Sequence, residues 1–66
     1  MAVLKVIEIM SSSSEGWQDA TSKGIEKASE TLKGIRSAWV QDQSVTVDDG
    51  KIKKYRVTLK VTFEVS

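Results

Sequence analysis

The residues of this chain best suited to chemistry are Ser37, Trp39 and Gln41, an indole with a hydroxyl two residues before it and an amide two residues after it. In an extended segment, residues two apart share a face. Ala38 and Val40 already supply the apolar side of this stretch, so Trp39 is expected to project the other way, among Ser37, Gln41 and Gln43. An aromatic ring among hydrogen-bonding side chains suits a flat partner, either another subunit or a planar small molecule. Arg56 has the opposite parity from the apolar residues of the last strand-like segment, which puts its guanidinium on the same side as Trp39. That chemistry is binding.

Catalysis has much less to draw on. There is no His and no Cys, the hydroxyls are scattered, and no glycine-rich loop follows a strand to cradle a phosphate. The expectation is that the protein is not an enzyme. Asp48 and Asp49 could hold calcium with backbone carbonyls, but Asp-Asp-Gly is also an ordinary turn sequence, and the turn is favoured. The formal net charge of +1 points to neither nucleic acid nor an anionic membrane. The local cluster Lys51, Lys53, Lys54 and Arg56 reads as a solvated strand face beside a turn. No apolar run approaches the roughly 20 residues that span a bilayer, and Lys5 and Glu8 interrupt the opening segment, so a cytoplasmic protein is expected.

The elements that must position these residues follow from hydrophobic period. Ala2 to Met10 is apolar on much of both faces and rich in β-branched residues, which predicts a buried strand. Ser11 to Ser14 reads as a polar break in which Ser13 or Ser14 caps a helix, with Glu15 favourable at its N-terminus. From Glu15 to Lys33 a helix is expected, ending at a Gly34 cap, because the apolar and small residues Trp17, Ala20, Thr21, Gly24, Ile25, Ala28, Leu32 and Ile35 keep the spacing of one helical face. Trp17 is expected to anchor that helix, and Gly24 to mark a close approach. Ile35 to Val47 is extended but changes phase between Val40 and Val45, as a bulge would make it do. Asp48, Asp49 and Gly50 supply a hairpin turn. In the last fifteen residues Tyr55, Val57, Leu59, Val61, Phe63 and Val65 alternate with polar residues, a long strand with one wet face.

The result is one α+β domain over residues 1–66, in the order β-α-β-β, with a three-stranded antiparallel sheet wrapped on one helix. A chain of this size buries only about 60% of its unfolded surface. With no disulfide and no zinc ligand set to staple it, and one helix for so long a strand, assembly with further copies is the expected remedy.

The whole chain resembles a dodecin. The resemblance rests on the opening Lys5-Val6-Ile7-Glu8-Ile9, on Ser11-Ser12-Ser13 ahead of a single helix, and on the closing run from Tyr55 to Val65. It implies a hollow homododecamer with helices outside. It also implies stacked flavins (FMN, riboflavin or FAD) held between aromatic residues of symmetry-related subunits, for storage or sequestration. Flavin-binding dodecins carry a tryptophan where alignment on Val40-Gln41 places Ser37, and here Trp39 stands two residues later. They also carry a glutamine after the aromatic of the third strand, where this chain has Arg56 after Tyr55. That tyrosine-arginine pair is similar to the calcium-associated branch of the family, so the resemblance implies either a flavin-storing shell or a calcium-associated or structural one.

Overall fold

The computed structural model describes residues 2–65. Strand β1 spans Leu4–Ser13, helix α1 Trp17–Ala28, strand β2 Ile35–Asp48 and strand β3 Lys51–Glu64. The sheet is antiparallel in the order β1-β3-β2, so the strand with the cleanest alternation is the central one. One row of β3, Val57, Leu59 and Val61, is at most 1% exposed and packs with Ala20 of the helix. Ile7, Ile9, Ile25 and Ile35 close around this core. The expected fold is the observed one.

The helix lies over β1 and β3, and Gly24 is what lets it come so near. A β-carbon built there would stand 3.0 Å from Ser11 Cβ and 3.2 Å from Leu59 Cδ1. Ser11 Cβ is fixed to the β1 backbone and cannot swing aside. Gly24→Ala should therefore destabilise the fold by about 1–2 kcal/mol, because overpacking outweighs the gain in helix propensity. Denaturant midpoints measure this, and an unchanged midpoint would mean that the helix and β1 can part freely.

Several boundaries differ from expectation. β1 continues through the serines to Ser13, with Ser11 and Ser13 facing Val57 and Tyr55 across the ladder. Ser13 is buried, and no serine caps the helix; Gly16 occupies that position without a side-chain bond. Instead Ser13 Oγ accepts from Glu15 N at 3.0 Å and donates to Asp19 Oδ2. That bond, reinforced by the Lys23 ammonium, holds the Asp19 carboxyl below its ordinary range against the opposing effect of burial. The helix also stops at Ala28, well short of Lys33. The hydroxyls of Ser29 and Thr31 return to the carbonyls of Glu26 and Ala28, the local competition that makes such residues poor helix formers. Gly34 does not cap the helix. It opens β2 with its φ at 77°, where a β-carbon would press on the Glu64 carbonyl at 3.3 Å.

β2 and β3 form a long hairpin closed by Asp49 (φ 51°) and Gly50 (φ 74°), the pair of positive φ values that a two-residue type I′ turn needs. Three bulges interrupt the ladder, leaving Lys53 on β3 and Gln41 and Arg36 on β2 without an opposite residue. The expected phase change is thus the bulge at Gln41. The chain measures 51 × 19 × 14 Å, and its radius of gyration, 13.5 Å, exceeds the roughly 11 Å of a compact chain this long. A twelve-residue helix reaches only about 18 Å, so it covers one side of part of the sheet. Consequently β1 is not buried on both faces: Ile7 and Ile9 lie under the helix, while Leu4, Val6 and Met10 are more than half exposed.

Candidate binding face

Ladder register assembles the side of the sheet away from the helix into rows that cross all three strands. Val6, Thr62 and Ser37 form one row, and Glu8, Lys60 and Trp39 the next. Met10, Thr58 and Asp42 follow, then Ser12, Arg56 and Ser44. Among the described residues no element packs on this face, and Trp39 stands 65% exposed in its middle.

The four residues expected to converge fall in different places. Ser37 and Trp39 share this face, as expected. The Ser37 hydroxyl is already engaged with Thr62 Oγ1 at 2.5 Å, and the Thr62 hydroxyl is also 3.2 Å from the Ser37 carbonyl. Gln41 is the extra residue of the bulge, so Asp42 continues the row of Trp39 in its stead. Gln43 does not lie beside Trp39 at all; it sits opposite buried Val57, on the helix side. Arg56 is on the expected face, but its neighbour is Ser44, whose Oγ lies 3.4 Å from Arg56 Nε. Four residues of strand, about 13 Å, separate Arg56 from the ladder position facing Trp39. Within one chain, Arg56 and Trp39 do not meet.

The residue that does meet Trp39 is Lys60. Its ammonium sits 5.6 Å from the ring centroid, within range of a cation–π attraction. Sequence reasoning passed over it, although the signal was there. The bulges at Lys53 and Gln41 lie on opposite strands and cancel, so a plain ladder counted back from the Asp49-Gly50 turn also pairs Trp39 with Lys60.

Trp17 does anchor the helix, though not as a buried residue. It is 36% exposed, donates its indole N–H to the Ser44 carbonyl at 3.0 Å, and meets Tyr55 edge to face at 5.1 Å. Ser44 thus takes Trp17 on its carbonyl and Arg56 on its hydroxyl, tying the helix N-terminus to the hairpin just past the Gln41 bulge. As for a metal, among the described residues no three carboxylates gather. Asp49 spends its backbone conformation on the turn.

Comparison with known proteins agrees with this architecture. The family model described as Dodecin matches residues 3–66. Calcium dodecin of Mycobacterium tuberculosis is 34% identical over 65 residues, 98% of this chain and 92% of that protein. The dodecin structure from Streptomyces davaonensis is 32% identical with a TM-score of 0.94, covering 98% of this chain and 96% of that one. A structure of the Mycobacterium tuberculosis calcium dodecin, described as calcium-chelating with a novel calcium-binding site, is 37% identical with a TM-score of 0.85 over 97% and 91% of the two chains.

Proposed function

We propose, from the premise that the chain belongs to the dodecin family, that it is a non-enzymatic cytoplasmic shell of twelve identical subunits that stores or sequesters a planar small molecule, flavin first among candidates. The observation that carries this reading is the uncovered sheet face, where Trp39 offers an exposed ring among Ser37, Thr62 and Lys60. Such a face has two uses in a closed assembly: its rim of Leu4, Val6 and Met10 buries against other copies, and its aromatic centre stacks a ligand. FMN, riboflavin or FAD would lay its ring system on Trp39. Arg56, with donors only, would serve a carbonyl oxygen or a phosphate from its position nearer the hairpin tip. Ser37 in place of the tryptophan of flavin dodecins, and Arg56 in place of their glutamine, should make this binding weaker than theirs.

The relative named as a calcium dodecin supports a second reading, a calcium-associated or purely structural shell. Because no carboxylate cluster forms among the described residues of one chain, a calcium site would have to join residues of several copies or use backbone carbonyls. Titrating the purified protein with FMN and riboflavin separates the two. Saturable quenching of flavin fluorescence is the result expected of the storage shell. No quenching, together with a thermal midpoint raised by calcium, would put the second reading in its place.

A further inference from the structure

We infer that Lys60 is the residue that selects among planar ligands at Trp39, favouring those that carry negative charge. The inference rests on the proposed stacking of a ligand on Trp39. Lys60 lies directly across the ladder from Trp39 on one side and from Glu8 on the other. Its ammonium is turned to the indole, 5.6 Å from the centroid. It forms no ion pair with Glu8: the ion pairs among the described residues are Asp19 with Lys23, Lys27 with Glu30, and Arg36 with Glu64. A cation over a solvent-exposed ring is weakly held and sits on a flexible four-carbon stem.

A ligand that stacks on Trp39 competes with Lys60 for the ring, and the displaced ammonium needs a new partner. An anionic group on the ligand supplies one through a charge-assisted hydrogen bond, whereas a neutral ligand leaves only Glu8. Asp42, the next residue of β2 on this face, opposes an anion, and Arg56 is about 13 Å away along β3. Lys60 is therefore the cation whose position decides the sign of the charge preferred at the ring.

FMN and riboflavin share one ring system and differ by a phosphate, which makes them the probes. Titration of the intact assembly, read by flavin fluorescence, should show FMN bound more tightly than riboflavin. Lys60→Gln should weaken FMN about tenfold while moving riboflavin by no more than about threefold, and Lys60→Arg should keep the preference. Glu8→Gln, which removes the competing carboxylate, should widen it. Equal changes for both ligands in Lys60→Gln, or a preference that disappears in Arg56→Gln but not in Lys60→Gln, would overturn the role of Lys60 and leave the stacking reading standing. Absence of quenching in the wild type, or quenching that survives Trp39→Ala, would overturn the stacking reading and this inference with it.

Discussion

Light scattering on the purified chain should return a particle close to twelve times its 7.3 kDa mass, and dilution should not release folded single subunits. The reason lies in how little the isolated chain can bury. Its fully buried hydrophobic core is Ala20, Val57, Leu59 and Val61, covered by one short helix. Leu4, Val6 and Met10 remain more than half exposed on the opposite face, and Val47 and Ile52 do so near the hairpin tip. Removing the rest of their surface from water is worth on the order of 1 kcal/mol per side chain. That is a large gain for a domain whose stability can be only a few kcal/mol. The sheet also ends in two unpaired edge strands, β1 and β2, whose backbone groups are open to a neighbour. No disulfide compensates, since the chain has no Cys. A stable, fully folded monomer at micromolar concentration would sink the assembly.

How far the fold could be read in advance depended on whether each signal was local. Alternation along β3 fixed its buried row, because period-two patterning leaves one choice of face. Asp49-Gly50 announced its own turn, and the phase change in β2 announced the bulge at Gln41. The helix ends were harder. Leu32 continues the apolar spacing past Ala28, and nothing in that spacing reveals that Ser29 and Thr31 will bond back to carbonyls. The serines after Met10 read by composition as a polar break and helix cap, yet Ser11 to Ser13 extend β1 because Val57, Arg56 and Tyr55 stand opposite to pair with them.

The site was legible by face and not by row. Parity correctly assigned Ser37, Trp39 and Arg56 to one side of the sheet, because parity needs no partner strand. Which residues become neighbours depends on register across two strands, and each bulge moves it. Gln41 dropped out of the row for this reason, whereas Lys60 stands beside Trp39 because the bulges at Lys53 and Gln41 cancel, and Arg56 shares only the face, four residues away along β3.

Trp39→Ala should abolish quenching of added flavin while leaving both the particle mass and the thermal midpoint nearly unchanged. The ring is 65% exposed, and the one specific attraction described for it in the chain is to Lys60, worth about 0.5–1 kcal/mol at an exposed site. Truncation therefore opens no cavity in the core, in contrast to loss of Leu59, which is wholly enclosed. The ligand loses far more, since a planar ring system stacked on an indole has no equal surface elsewhere on this face: Trp17 and Tyr55 are packed against each other at the helix, and Phe63 has the parity of the buried row Val57, Leu59 and Val61. Mass from light scattering and fluorescence from titration separate the possibilities. Quenching that persists in Trp39→Ala would move the site elsewhere. A fall in mass along with the loss of quenching would make Trp39 chiefly a contact between subunits, the commoner role for an exposed aromatic residue at the centre of an uncovered sheet.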